Sequence, residues 1–164
     1  MFTLYPLLKR FTPLCHFGVG AALALAPLGG YLAVVPDLGA ALREAGPLAL
    51  FTLGWVSGFD LIYATLDADF DRAHGVHSLP AAIGIERALR VSRACHAVAF
   101  AALAWWALAR WPQPAVALAL ALVGLGLAWQ QKKADDVDLA FFRINSGLGF
   151  VVLLVILAGQ GLPR

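Results

Sequence analysis

The sequence predicts an all-α integral membrane protein, and three observations support that fold class. Hydrophobic residues fill 61% of the 164 positions, and charged residues fill only 13%. The mean hydropathy is +0.79, far above the range of soluble domains. The apolar residues also gather into five stretches that are long enough, or nearly so, to cross a bilayer.

The five stretches are expected to be helices, because a backbone in contact with lipid must satisfy its own hydrogen bonds. Their approximate bounds are 12–35, 47–66, 91–109, 113–130 and 140–160. Neither an internal repeat nor a linker separates them. We therefore predict a single transmembrane domain over residues 1–164.

Basic residues predict the orientation, since cytoplasmic loops carry an excess of lysine and arginine. With the N-terminus in the cytoplasm, the inner segments hold Lys9, Arg10, Arg72, Arg87, Arg90, Arg93, Lys132, Lys133 and Arg143. The outer segments then hold only Arg43, Arg110 and Arg164. The prediction is a protein of the cytoplasmic membrane, surrounded by membrane lipid, with its C-terminus outside. A net charge of only +2 argues against a nucleic-acid partner.

Three aspartates mark the cytoplasmic end of the second stretch: Asp60, Asp67 and Asp71. If one helix runs through all three, a turn of about 100° per residue returns their carboxylates to one face, within roughly 20° of each other. Asp69 then points to nearly the opposite side. Such a stripe of acids is costly in a membrane without a countercharge. We expect a divalent cation or a cationic ligand there.

Other interpretations of these acids stay open at this point. A solvated acidic helix end needs no ligand, although acids at a helix C-terminus face the negative end of the dipole and repel each other at i, i+4. An ion-coupled transporter with Asp60 as its intramembrane charge is a different functional class. The third interpretation is a structural remnant that neither binds a ligand nor transports ions.

Basic side chains lie at the same predicted level of the membrane. Lys9 and Arg10 precede the first span, and Arg72 follows the aspartates. Anchoring at the membrane surface is sufficient to explain Lys9 and Arg10. Mg²⁺ held by carboxylates at i, i+4 would keep several waters and share phosphate oxygens, and basic groups would bind the remaining phosphate charge. Together these residues predict a diphosphate site.

Two stretches resemble motifs of the UbiA superfamily of intramembrane prenyltransferases. Residues 5–9, Tyr-Pro-Leu-Leu-Lys, resemble its Y-x-x-x-K element. Asp67 and Asp71 match its second aspartate-rich motif, D-x-x-x-D, and residues 75–78 match the G-V-x-S turn that follows. The sequence around Lys9 and His77 is most similar to the 4-hydroxybenzoate polyprenyltransferase group, which includes enzymes acting on dihydroxynaphthoate.

The resemblance implies transfer of a polyprenyl group from its diphosphate to an aromatic acid in ubiquinone or menaquinone biosynthesis. It implies that Asp67 and Asp71 are catalytic residues that bind Mg²⁺, and that Lys9 binds diphosphate oxygens. Arg10 is the candidate for the carboxylate of the aromatic acid. The other substrate-binding residues that we infer are Tyr5, Asp60 and Arg72.

Members of the superfamily normally have nine transmembrane helices and a first motif, N-D-x-x-D-x-x-x-D, which this sequence lacks. The resemblance therefore implies that the five spans correspond to helices five to nine. On this interpretation the chain is an incomplete C-terminal portion that is inactive alone. A separate N-terminal half is the expected partner.

Overall fold

The computed structural model describes residues 5–136 and 139–161, apart from the side chains of residues 5–6 and 139–141. Every regular element in these ranges is helical. The elements are a 3₁₀ helix (Tyr5–Arg10), α1 (Cys15–Val34), α2 (Leu38–Glu44), α3 (Gly46–Tyr63), α4 (Ala68–His74), α5 (Leu79–Ile83), α6 (Ile85–Arg110), α7 (Pro114–Lys132), a π-helical segment (Leu139–Ile144) and α8 (Asn145–Gln160). The predicted all-α class is confirmed.

Within the described residues, four helical segments are long and apolar enough to cross a membrane: Cys15–Val34, Ile85–Arg110, Pro114–Lys132 and Phe142–Gln160. Helices α2 and α3 are bent by 59° at a short break, and they form a fifth crossing if the pair counts as one span. The structure thus agrees with an integral membrane protein of four or five spans.

The contacts divide the chain into two compact units, Met1–Ala99 and Phe100–Arg164, and the boundary falls within α6. In the first unit α1 packs along α3, and α4 packs against α5. In the second unit α7 packs against α8 and the π-helical segment. The single transmembrane domain stays a prediction.

Helices α1 and α3 approach closely because glycine faces the partner backbone. A Cβ on Gly20 would lie 2.6 Å from the carbonyl oxygen of Leu53 and 3.3 Å from the amide nitrogen of Ser57. Small residues at such contacts let membrane helices gain van der Waals contact where no hydrophobic force drives their association. The approach brings the end of α3 beside the start of α1, which is where the polar residues gather.

The predicted continuous helix through Asp60, Asp67 and Asp71 is wrong, because α3 ends at Tyr63 and α4 begins at Ala68. The amide of Thr65 bonds the carbonyl of Ile62, and its Oγ1 donates to the same oxygen at 2.7 Å. These i→i−3 bonds tighten the last turn and compete with helix continuation. The three carboxylates therefore do not share one helical face.

Replacing Gly20 with alanine should separate α1 from α3. We expect the free energy of unfolding to fall by about 1–3 kcal/mol, the usual penalty of overpacking. Gly30 is the matched control in the same helix, because a Cβ there meets nothing within 4 Å. Gly30→Ala should instead stabilise the protein by about 0.5–1 kcal/mol through helix propensity. Denaturant titration in detergent micelles, followed by circular dichroism, measures both, and equal effects would contradict this packing.

Candidate functional site

The loop between α4 and α5, residues 75–78, joins several parts of the first unit. Gly75 ends α4 in the left-handed conformation, with φ of 68°, which turns the chain out of the helix. The amide of His77 then donates to the carbonyl oxygen of Lys9 at 2.9 Å. The Cys15 thiol donates to the His77 carbonyl oxygen at 3.7 Å. The backbone of the predicted diphosphate-binding lysine is thereby fixed to the segment that follows the aspartates.

A buried histidine connects this loop to α3. Nδ1 of His16 lies 2.6 Å from Oδ2 of Asp60, and His16 is only 1% exposed. Its other nitrogen, Nε2, accepts the amide proton of Leu79 at 3.4 Å. An accepting Nε2 places the ring proton on Nδ1, from which it is donated to the Asp60 carboxylate. This hydrogen bond joins α1 to α3, and Asp60 therefore has a protein partner.

Asp71 is the buried acid of the site. It is 3% exposed, and its Oδ2 has no hydrogen-bond partner in the described part of the chain. With Arg72, His77 and Ser78 it lines a cavity of about 160 Å³. The Ser78 hydroxyl is likewise buried and unpartnered among the described residues. A buried, uncompensated carboxylate costs several kcal/mol, so this side chain favours a cation or a donor from outside the chain.

Asp67 lies one helical turn before Asp71 and is exposed. It occupies the N-cap position of α4, yet its side chain makes no capping hydrogen bond. Both acids therefore sit at the N-terminal end of a helix. The expectation that they face the negative end of a helix dipole is wrong, because the chain breaks before Asp67. The burial of Asp71 now carries the argument for a cationic ligand.

Arg72 lines the same cavity and donates two hydrogen bonds within the protein. Its Nη1 donates to Oδ1 of Asp69 at 2.9 Å, and its Nε donates to the carbonyl oxygen of Ala81 at 3.4 Å. The Asp69 side chain is 92% exposed. Exposed pairs of this kind are worth about 0–1 kcal/mol, so a phosphate can replace Asp69 at the guanidinium.

The remaining predicted site residues lie on the 3₁₀ helix before α1. Lys9 is half-buried and Arg10 is exposed. Neither forms an ion pair with any residue that the structure describes. The side chain of Tyr5 lies outside the described residues. Lys9 is the member of this group whose backbone is tied to the loop that lines the cavity.

The acids of the site fit Mg²⁺ better than a metal held by protein alone. Within residues 5–136 and 139–161, no group of three or more His, Cys, Asp or Glu side chains is arranged for a metal ion. Mg²⁺ commonly takes one or two carboxylates and completes its octahedron with water and substrate phosphates. The unpartnered Oδ2 of Asp71 meets that requirement, whereas a closed structural zinc site needs four protein ligands.

Two polar contributors were not identified from the sequence. Ser78 is the last residue of the G-V-x-S turn motif, and in the structure it lines the cavity with its hydroxyl buried. Cys15 is 2% exposed and is a free cysteine. Its thiol also holds the loop carbonyl of His77. The signal for Ser78 was its position three residues after a helix-ending glycine.

Removing His16 should loosen the site through two lost contacts. In His16→Ala the Asp60 carboxylate and the Leu79 amide both lose their partner, and we expect a loss of about 1–3 kcal/mol in the free energy of unfolding. His16→Gln keeps a donor for Asp60 and should lose less. His74→Ala is the control, because His74 is exposed and bonds only the Phe70 carbonyl of its own helix. A loss no larger than that of the control would contradict the bridging role.

Comparisons with known proteins identify relatives of part of this chain. Polyprenyl transferases of Arthrobotrys oligospora (AOL_s00215g276), Penicillium terrestre (macG) and Aspergillus niger (yanG) are 38–39% identical over 77–82 residues, which is 47–50% of this chain. The match covers 21–25% of those proteins, so the matched part of the chain spans at most about a quarter of the length of these relatives.

A solved structure is similar over nearly the whole chain. The apo structure of a UbiA homolog from Aeropyrum pernix K1 superposes with a TM-score of 0.83 at 31% identity. The match covers 96% of this chain and 60% of the homolog. The model of the UbiA prenyltransferase family matches residues 1–158. Because this family model covers most of the chain and the fold agrees with it, the chain belongs to the UbiA prenyltransferase family.

Proposed function

We propose that this chain supplies the diphosphate-binding part of a prenyltransferase that moves a polyprenyl group from its diphosphate to an aromatic acid. The acceptor class is 4-hydroxybenzoate or dihydroxynaphthoate, which places the reaction in ubiquinone or menaquinone biosynthesis. The observation that best supports this function is the buried Asp71 carboxylate, unpartnered among the described residues and one turn after Asp67.

Asp67 and Asp71 are the proposed ligands of Mg²⁺. When bound, the ion supplies Lewis-acid stabilisation of charge on the diphosphate. The chain's own cations assist: Arg72 exchanges Asp69 for a phosphate oxygen, and Lys9 binds a second one. A guanidinium suits this task because it can donate two parallel hydrogen bonds to one phosphate.

In the proposed reaction the bond between the allylic carbon and the diphosphate oxygen breaks, and the electron pair leaves with the diphosphate. The electron-rich ring attacks the allylic cation, forms a carbon–carbon bond and then loses a proton. Apolar helices exclude water that would otherwise capture the cation. We assign the carboxylate of the acid to Arg10, and further substrate contacts to Tyr5 and Asp60.

Several finer points stay predictions alongside this proposal. They include the N-terminus in the cytoplasm and the C-terminus outside. They also include the correspondence of the spans to helices five to nine of the family bundle and a separate N-terminal half. The matched share of the A. pernix homolog, 60%, agrees in length with five helices of nine.

Ion-coupled transport is a second candidate because of one specific contact. Asp60 is paired with His16 at 2.6 Å inside a predicted span, and paired ionisable groups of this kind serve proton relays. Ion flux in proteoliposomes that depends on Asp60, in a protein that binds no pyrophosphate, would favour transport. Pyrophosphate binding without flux favours the transferase.

Asp71→Asn should change pyrophosphate affinity and folding stability in opposite directions. We expect pyrophosphate affinity in the presence of Mg²⁺ to fall at least about tenfold, since one charge-assisted interaction is lost. Without ligand the same variant should be more stable by about 1 kcal/mol or more, because an uncompensated buried charge is removed. Titration calorimetry with inorganic pyrophosphate, with Mg²⁺ or with EDTA, measures binding, and denaturant titration measures stability.

The matched control is Asp135→Asn, an exposed acid in the second unit. It should leave pyrophosphate binding unchanged. Equal affinity with Mg²⁺ and with EDTA in the unmodified chain would reject the magnesium role. Unchanged affinity in Asp71→Asn would reject the assignment of this carboxylate.

Substitutions of Arg72 and of Asp69 should change pyrophosphate affinity in opposite directions. Arg72→Gln should weaken pyrophosphate binding about tenfold, because a charged donor is lost. Asp69→Asn should strengthen it by up to about fivefold, since the guanidinium no longer has to leave an exposed partner worth about 0–1 kcal/mol. The same calorimetric titration tests both, and a loss of affinity in Asp69→Asn would contradict the proposed exchange.

A further inference from the structure

The second unit contains a groove of its own, lined by residues of α7, of α8 and of the segment before α8. It lies between α7 and α8 and has a volume of about 920 Å³, within the size range of small-molecule sites. Its lining is apolar except at one end, where Arg143 is the only charged residue among the described lining residues. The residues used below are Leu122, Leu125, Trp129, Arg143, Gly147 and Val151.

Glycines explain why this groove exists between two closely packed helices. Gly126 on α7 receives the side chain of Leu148, whose Cδ2 would lie 2.6 Å from a Cβ on the glycine. This contact holds the helices together at one level. A Cβ on Gly147 would meet nothing within 4 Å. The groove is therefore open at Gly147, and a larger side chain there would fill it without a backbone clash.

Arg143 supplies an anion-binding group at the end of this groove. It is exposed, and it forms no ion pair with a residue that the structure describes. It belongs to the π-helical segment that leads into α8, and such segments are frequent at functional sites. An arginine at the end of an apolar span is stabilised by reaching the interface or by an anionic partner.

We propose that the groove binds one anionic phospholipid. The acyl chain lies along α7 between Leu122 and Trp129, a distance of roughly 10 Å at the helical rise, and the headgroup phosphate bonds the Arg143 guanidinium. Charge complementarity supports this occupant, because an apolar wall ending in one cation matches an apolar chain ending in one phosphate. Basic pockets between transmembrane helices bind anionic headgroups in this way.

The test is native mass spectrometry of the purified chain with phosphatidylglycerol and phosphatidylcholine that carry identical acyl chains. We expect phosphatidylglycerol to bind about fivefold more tightly, the preference that one interfacial arginine supplies. Arg143→Gln should lose this preference while it still binds both lipids. Arg143→Lys should keep most of the preference, because the charge is retained.

Gly147→Leu should abolish binding of both lipids by filling the groove. Its control is Gly30→Leu, at an exposed helical glycine in the first unit that also meets nothing within 4 Å. The control for charge is Arg87→Gln, an exposed arginine at the start of α6. Both controls should bind lipid as the unmodified chain does.

Equal binding of the two lipids by the unmodified chain would overturn the proposal. Absence of bound lipid, or a dimer that Gly147→Leu dissociates, would overturn it as well, because a protein segment or a second copy would then occupy the groove. These results are independent of pyrophosphate binding, so failure here leaves the prenyltransferase proposal intact.

Discussion

The hydrogen bond between His16 and Asp60 is the contact on which the arrangement of the first unit depends. At 2.6 Å it joins the start of α1 to the last turn of α3, and the other ring nitrogen receives the first amide of α5. One buried side chain thus fixes three segments. The loop held in this way lines the cavity beside Asp71 and carries the bond to Lys9.

Some buried polar atoms beside these segments have no hydrogen-bond partner among the described residues. Asp71 and Ser78 each bury an oxygen without a described partner, whereas Arg72 and Asp69 form an exposed pair that is easily exchanged. Natural proteins place such unfavourable groups where a ligand compensates them. This arrangement supports the proposed cation and phosphate site, at which a bound ligand would offset the cost of the buried acid.

The sequence was sufficient to predict the helical membrane fold, because long apolar stretches have few alternatives in lipid. It also placed Asp67 and Asp71 in one motif, and that motif resembled the family that the comparisons show. It did not predict the break after Tyr63, since local bonds made by Thr65 outweigh a continuous apolar pattern. Nor did it identify the partners of His16, which lie 44 and 63 positions away.

The interrupted segment at residues 64–67 has an evolutionary consequence. Because α4 is a separate short helix, a change of rotation or register in α3 is not transmitted rigidly to Asp71. Substitutions on α3 can therefore change the packing around Asp60 while Asp67 and Asp71 keep their positions. This modularity would let members of the family vary α3 while the short acidic helix stays unchanged.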